Sequence, residues 1–402
     1  MGNLIPNLII VDIGSSKIAA LACHKDNNDK ISVIDHVLFR MENMVAGDLK
    51  DITKAGKNIS KAIYELEKKC NISINSILVT FAGANTKSYY TIENDNLLQN
   101  KITKANITEL VKKSIDKLKI IENTDIIHYI PLEFCLDNTM EVANPIGMIA
   151  RNIESKLHFI TAKSTSLANI NNCLANYQIE VSEFFSNNFA INFAVLDTID
   201  QTQGVIVIDL GSNTTSFTLF NNKPIYCNYI DIGGYHITQD IATVLSIDFD
   251  LAEKIKILHG NMLGNSYDRE MIINFDNIEP ININILNNII KARIEEIFTL
   301  IKNQYDFLNI DYLVKNGVVI TGGGANLLGV EQIAKKIFNR KAKVANIVNY
   351  QKIIEHNKVN FFASALGVVE YKNRYISEIQ KHDVKNGTTK IKKIINWIKN
   401  NF

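Results

Sequence analysis

Two short turns carry the residues best suited to chemistry: Asp12-Ile13-Gly14-Ser15-Ser16-Lys17 and Asp209-Leu210-Gly211-Ser212-Asn213-Thr214-Thr215. In each, an apolar run ends in Asp-x-Gly-Ser. Glycine lets the backbone turn tightly, so N–H groups and small side chains can approach phosphate oxygens. An aspartate at the strand end can hold a hydrated Mg²⁺ on a polyphosphate, because magnesium keeps most of its own waters. Asp12 and Asp209 are thus the candidate metal-holding residues, acting through water. One such turn is a weak signal, since Asp-Gly turns are common. Two of them could clamp a triphosphate from both sides.

A third element, Thr321-Gly322-Gly323-Gly324-Ala325, follows an apolar run and precedes a helical stretch starting near Gly329. Three glycines remove every Cβ, so a flat ring or a ribose could lie against the backbone. A plain strand-to-helix crossover is the alternative, although it would rarely need three. No Walker A pattern occurs, which excludes a P-loop NTPase.

The elements that must position these turns come in two copies. Leu8-Ile9-Ile10-Val11-Asp12-Ile13-Gly14-Ser15 recurs as Val205-Ile206-Val207-Ile208-Asp209-Leu210-Gly211-Ser212. Each copy leads into a second strand-like run (Ile18–Ala22; Ser216–Phe220), a polar turn and a third run (Ile31–Phe39; Pro224–Ile230). Further on, Ile77-Leu78-Val79-Thr80 matches Val318-Val319-Ile320-Thr321. The copies lie 197 positions apart at Asp12 and Asp209 and 241 apart at Thr80 and Thr321. About 44 residues are therefore inserted in the second half before that strand. Continuous apolar strands alternating with helical stretches (Thr53–Lys69, Asn287–Phe307, Gly329–Phe338) predict an α/β fold with sheets covered on both faces. Chance likeness of short Val/Ile runs is the competing explanation; two matched motifs in one order favour duplication.

Composition narrows the classes. The 402 residues suggest two to four domains. Lys+Arg is 43 against 42 Asp+Glu, so no global basic field exists to hold nucleic acid, and none is expected as a partner. Five scattered cysteines without CxxC spacing fit reduced, mostly buried thiols. A secretory leader is not expected, because the run Leu8–Val11 lacks a basic lead and ends at Asp12. Pro6 breaks the myristoylation pattern after Gly2, and no stretch approaches the length of a membrane span.

The C-terminus differs from the body. After a polar linker (381–389), residues 390–402 place Ile391, Ile394, Ile395, Ile398 and Phe402 on one helical face. Lys392, Lys393 and Lys399 flank or oppose that stripe, and Trp397, the sole tryptophan, sits beside it. Packing on the body is one reading. The one-sided charge and terminal position favour binding to an anionic membrane surface, weakly for one tail and firmly for tails linked in a filament.

These residues resemble the actin, Hsp70 and sugar-kinase superfamily, and within it the FtsA family of actin-like bacterial cell division proteins, over nearly the whole chain. Val11–Lys17 resembles the first phosphate loop, Asp209–Thr215 the second, and Thr321–Ala325 the adenosine loop. Ile127-His128-Tyr129-Ile130-Pro131-Leu132-Glu133 and Asn144-Pro145-Ile146-Gly147-Met148 resemble the inserted domain peculiar to FtsA. Gly233-Gly234-Tyr235-His236-Ile237-Thr238-Gln239-Asp240-Ile241-Ala242 resembles another family stretch, and Ala252–Lys256 a helix whose Glu253 and Lys256 would face adenosine. By the plainer reading those two are an exposed charge pair.

The resemblance implies an actin-like (ribonuclease H-like) duplicated two-domain ATPase fold, with an FtsA-type inserted domain and a C-terminal amphipathic helix. Its subdomains would be 1A (1–85 and 166–200), 1C (86–165), 2A (201–240 and 311–380) and 2B (241–310). It implies ATP and Mg²⁺ as ligands, held by Asp12, Gly14, Ser15, Ser16, Lys17, Asp209, Gly211, Ser212, Asn213, Thr214, Thr215, Gly234, Glu253, Lys256, Gly322, Gly323 and Gly324. The implied partners are the C-terminal peptide of FtsZ at 2B, further copies in a filament, later division proteins at 1C, and anionic lipid at the cytoplasmic face of the inner membrane. Two departures stand out. The family's second loop usually reads Gly-Gly-Thr-Thr-Asp, against Ser212–Ser216 here, and the stretch 186–196 offers no acidic residue to orient water. Nucleotide binding is the expectation, better supported than fast hydrolysis, and whether the chain is an enzyme with slow hydrolysis stays open. A pilus-assembly relative and a small-molecule kinase of the same fold are the alternatives. An Hsp70-like chaperone is not expected, since 22 residues after position 380 are too few for a peptide-binding domain.

Overall fold

The computed structural model describes residues 4–42, 44–83, 86–119, 121–263, 272–273, 280–355 and 358–379. The predicted tail helix, with Ile391, Lys392, Lys393, Ile394, Ile395, Trp397, Ile398, Lys399 and Phe402, lies outside these residues.

Two five-stranded sheets share one plan. The first runs Glu180–Ser186, Ser76–Phe81, Leu8–Ile13, Lys17–Lys25, Ile31–Arg40. The second runs Ala342–Val344, Val318–Thr321, Val205–Leu210, Thr215–Asn221, Lys223–Ile230. In both, the first strand pairs antiparallel with the next in sequence and parallel with the later one. Asp12 lies opposite Thr80, and Asp209 opposite Thr321, so the sequence repeat is also a repeat of register. The first strands are buried along nearly their whole length, as central strands covered on both faces must be.

Helix Ile52–Cys70 buries Ala55, Ile59, Ala62, Ile63 and Leu66 against the first sheet. Asp51 caps its start by accepting from the Lys54 N–H, and Asn71 ends it in the left-handed region. Between the sheets cross helices Asn187–Val195 and Ala363–Ile379. Their side chains join Ile10 and Leu21 of one sheet to Val207 and Phe220 of the other in a single apolar core. Gly367 makes the crossing possible, since a Cβ there would run into the backbone of Ala190.

Each half carries an addition. After Phe81, a four-stranded antiparallel sheet (order Lys87–Lys101, Ile149–Lys163, Thr124–Leu136, Met140–Val142) packs against helix Lys104–Leu118 through Ile107, Leu110, Val111, Phe134 and Phe159. This layer also meets the second half. His158, fully buried, faces the Pro224 carbonyl at 3.0 Å and the Ser88 hydroxyl at 2.7 Å, and Lys223 donates to the Pro131 and Leu132 carbonyls at 2.8 and 2.7 Å. In the second half, helices Phe249–His259 and Ile283–Leu308 precede Val318–Thr321, in the region where the sequence offset requires extra residues. Arg293 ties this region to helix Gly234–Leu245 through a two-pronged pair with Asp240 at 2.7 and 2.8 Å.

The helices predicted at Thr53–Lys69, Asn287–Phe307 and Gly329–Phe338 and the repeated strands are present with ends shifted by a few residues. Sequence reading missed the fifth strand of each sheet, Glu180–Ser186 and Ala342–Val344. Cys23, Cys173 and Cys227 are buried, Cys70 and Cys135 half-buried, and all five are unpaired thiols. Among the described residues no helix is long and apolar enough to cross a membrane.

Candidate functional site

The two turns are hairpin connections. Ile13 pairs with Ile18, and the Gly14 N–H donates to the Lys17 carbonyl at 2.9 Å, closing a four-residue turn with Ser15 half-buried and Ser16 exposed. Leu210 pairs with Thr215 around Gly211, Ser212, Asn213 and Thr214. A Cβ on Gly211 would stand 2.6 Å from the Thr214 carbonyl oxygen, so only glycine fits this turn. Thr214 and Thr215 are buried, and Thr215 donates its hydroxyl to the Ile232 carbonyl at 2.7 Å.

Helix Gly234–Leu245 starts directly on the second turn. Gly234 N–H donates to the Gly211 carbonyl at 2.9 Å and Tyr235 N–H to the Ser212 carbonyl at 2.8 Å. A Cβ at Gly233 would lie 2.6 Å from the Gly211 oxygen, which accounts for the preceding glycine.

The aspartates converge. Asp12 is 5% exposed; its Oδ1 accepts from the Thr80 hydroxyl at 2.7 Å, and Lys17 Nζ lies 3.7 Å from its Oδ2. Asp209 Oδ2 accepts from the Asn187 amide at 2.8 Å, and Gly322, at φ +86°, comes so close that a Cβ would strike Asp209 Oδ1. Burial raises both carboxyls above their ordinary range. For Asp209 the rise reaches about 6: burial leads, the negative charge of Asp12 adds to it, and Lys17 and Asn187 oppose it. Asp12, Asp209 and Lys17 thus share one electrostatic neighbourhood.

The glycine loop closes the third side. Gly323–Asn326 forms a short 3-10 turn, and Gly329 caps helix Val330–Phe338. A Cβ on Gly324 would stand 2.8 Å from Leu210 Cβ, so this loop packs on the end of the strand that carries Asp209.

Glu253 and Lys256 lie beside Gly234 on helix Phe249–His259. Lys256 is buried rather than an exposed partner of Glu253, and burial lowers its pKa. Its ammonium donates to the Gly234 carbonyl at 3.0 Å, the Thr238 hydroxyl at 2.8 Å and the Glu253 carboxylate at 2.7 Å. Three donors meet three acceptors, so Lys256 fixes the glycine turn, while the half-exposed Glu253 completes the cluster.

Three residues at this site escaped sequence reading. Thr80 had a signal, its match to Thr321 in the repeat. Asn187 had a faint one, a polar residue where a strand passes into a helix. Phe361, whose carbonyl and ring both meet Lys17, had none. Ser216 lies opposite Asp209, buried, placing a neutral hydroxyl where the family pattern has a carboxylate.

Comparison with known proteins agrees with this architecture. The family model "Cell division protein FtsA" matches residues 206–367, and "SHS2 domain inserted in FTSA" matches residues 82–161, which include most of the added antiparallel sheet. The cell division protein FtsA of Borreliella burgdorferi is 30% identical over 378 residues, covering 91% of each chain. That of Buchnera aphidicola subsp. Baizongia pistaciae is 27% identical, covering 98% of both. Among solved structures, the PilM-PilN type IV pilus biogenesis complex superposes with a TM-score of 0.63 at 15% identity, covering 91% of this chain and 98% of that one. MreB 5 of Spiroplasma citri bound to AMPPNP gives 0.55 at 14%, covering 93% and 98%. The duplicated sheets, the inserted domain and the sequence relatives agree: this chain has the actin-like fold and belongs to the FtsA family of cell division proteins.

Proposed function

We propose that this protein binds ATP with Mg²⁺ between its two halves, assembles into filaments, and tethers FtsZ filaments to the cytoplasmic face of the cell membrane at the division site. The observation that carries the nucleotide reading is the convergence of Asp12, Asp209 and Lys17 beneath two glycine turns and a glycine loop. A buried Asp12 whose charge adds to the cost of ionising the half-buried Asp209 suits a divalent cation. Among the described residues no three His, Cys, Asp or Glu side chains gather as a direct cation cage. A cation here would lean on water and phosphate, as magnesium does.

In this reading Gly14–Lys17 and Gly211–Thr215 offer N–H and hydroxyl groups to the phosphates, and Gly322–Gly324 admits the adenosine. Asp12 and Asp209 would hold hydrated Mg²⁺, which screens phosphate charge. Asn187 orients Asp209 but cannot take a proton from water, and Ser216 supplies no carboxylate. Hydrolysis is therefore slow, and the nucleotide acts mainly as a brace between the halves.

We divide the chain as 1A (1–85, 166–200), 1C (86–165), 2A (201–240, 311–380) and 2B (241–310). FtsZ's C-terminal peptide docks on 2B, later division proteins on 1C, and the basic amphipathic stretch 390–402 on anionic lipid. Co-sedimentation with anionic vesicles tests the tether. The full chain with ATP should carry FtsZ into the vesicle pellet, and the chain lacking 390–402 should leave it in solution. FtsZ pelleting equally with both chains would contradict the tether.

A further inference from the structure

Phe361 meets the first phosphate turn and the glycine loop at once. It sits in a 3-10 turn, Val359–Phe362, that leads into helix Ala363–Ile379. Its backbone carbonyl accepts a hydrogen bond from Lys17 Nζ, and its ring centroid lies 5.4 Å from the same nitrogen. Its ring edge faces the glycine loop, where a Cβ on Gly323 would be 3.3 Å from Phe361 Cε1. The turn is anchored from below, because the next residue, Phe362, is fully buried and meets the His36 ring edge-on at 5.2 Å. Phe361 itself remains half-buried, at the cleft.

These contacts matter because Lys17 has a competing partner. A lysine is a point charge on a flexible four-carbon stem, and it would close on a buried carboxylate to a direct charged hydrogen bond of about 2.7–2.9 Å. Lys17 instead stands 3.7 Å from Asp12 Oδ2, held by a carbonyl and an aromatic face. That hold keeps Lys17 at a long ion-pair distance from Asp12 instead of in a short charged hydrogen bond, so its charge can also reach a phosphate oxygen. The same ring explains Gly323, which has no positive φ to demand glycine. A Cβ there would make the ring give by a few tenths of an ångström.

We infer that Phe361 is a positioning residue: it holds the Lys17 ammonium away from Asp12 and toward the phosphates, and its ring edge sets the width of the space beside Gly323. This rests on the reading of the cleft as a site for Mg²⁺-bound nucleotide. Phe361 acts through Lys17 rather than on the nucleotide directly.

The test is binding of a fluorescent ATP analogue with Mg²⁺ to the full chain carrying Phe361→Leu, Phe361→Tyr, Lys17→Gln, or Phe361→Leu with Lys17→Gln. Loss of the aromatic face should weaken binding on the order of three- to tenfold, and tyrosine, which keeps the face, should restore it. In the Lys17→Gln background the leucine change should cost less than about twofold, because the group it acts through is gone. An equal loss in both backgrounds, or no loss from leucine, overturns the inference. A second readout needs no nucleotide: NMR of ¹³C-methylated lysines should show Lys17 shifted by the ring current of Phe361, and the shift should vanish in Phe361→Leu. A wild-type chain with that shift but no ATP binding would sink the nucleotide reading while leaving Phe361 as the residue that holds Lys17. An unshifted Lys17 would sink the inference itself.

Discussion

Asp12 and Asp209 occupy the same register position in two equivalent sheets, one opposite Thr80 and the other opposite Thr321, yet their hydrogen bonds differ. Asp12 accepts from its neighbouring Thr80, whereas Asp209 accepts from Asn187 on the crossing helix. The Thr321 hydroxyl is buried without a hydrogen-bond partner. Duplication supplies two similar carboxylates, and the added contact makes Asp209 the one tied to the central helices.

Asp209 should cost stability at neutral pH. Its folded pKa is raised to about 6 from 3.8, so the folded protein resists releasing a proton that the unfolded chain gives up freely. The penalty is absent below about pH 4, grows as pH rises toward 6, and levels off at about 3 kcal/mol above that. Asp209→Asn should therefore raise the melting temperature at pH 7.5, with the gain shrinking toward pH 4. A gain that grew on acidification would contradict the assignment.

His158 should act in the opposite direction. The Pro224 carbonyl can only accept, so the neutral ring donates from Nδ1, while Nε2 faces a Ser88 hydroxyl that also reaches the Cys227 carbonyl. Burial lowers its pKa from 6.5 to about 4. Its contribution is whole above pH 6.5 and is lost as pH falls toward 4, amounting to about 2 kcal/mol by pH 5. Thermal melts should show a shallower loss between pH 7 and pH 5 for His158→Gln than for the wild type. Parallel slopes would show that His158 is not the titrating group.

Gly367→Ala should destabilise the protein by a few kcal/mol, because the added Cβ meets the rigid backbone of Ala190 and not a movable side chain. Chemical denaturation would read this directly. An unchanged midpoint would mean that the two central helices are not packed at this crossing.

Much of this was legible in the sequence, for physical reasons that differ by element. Val11-Asp12 and Ile208-Asp209 announce themselves because a strand buried on both faces must be continuously apolar, which makes a terminal Asp-x-Gly conspicuous. The strands Glu180–Ser186 and Ala342–Val344 were hidden, since both lie at sheet edges, where the apolar pattern thins. Lys256 could not be placed from its spacing to Glu253, because an i,i+3 charge pair looks the same exposed or buried. Phe361 was illegible, since what brings it to Lys17 is a contact across 344 positions.

The tail can be watched separately. Trp397 is the only tryptophan, so intrinsic indole fluorescence reports on residues 390–402 alone. Emission should shift to the blue with anionic vesicles, little with neutral ones, and partly back with added salt. Ile394→Glu with Ile398→Glu should abolish the shift. An indole already blue-shifted without lipid and unmoved by vesicles would show that the helix packs on protein, against the tether.

A nucleotide held between the two halves is tested by equilibrium binding of ATP with Mg²⁺ to the wild type, Asp12→Ala, Asp209→Ala and, as a control, the exposed Lys30→Ala. The wild type and Lys30→Ala should retain nucleotide alike, and each aspartate variant should lose at least about tenfold in affinity, the worth of a charge-assisted contact. Equal retention in all four proteins would contradict a nucleotide held between the two halves.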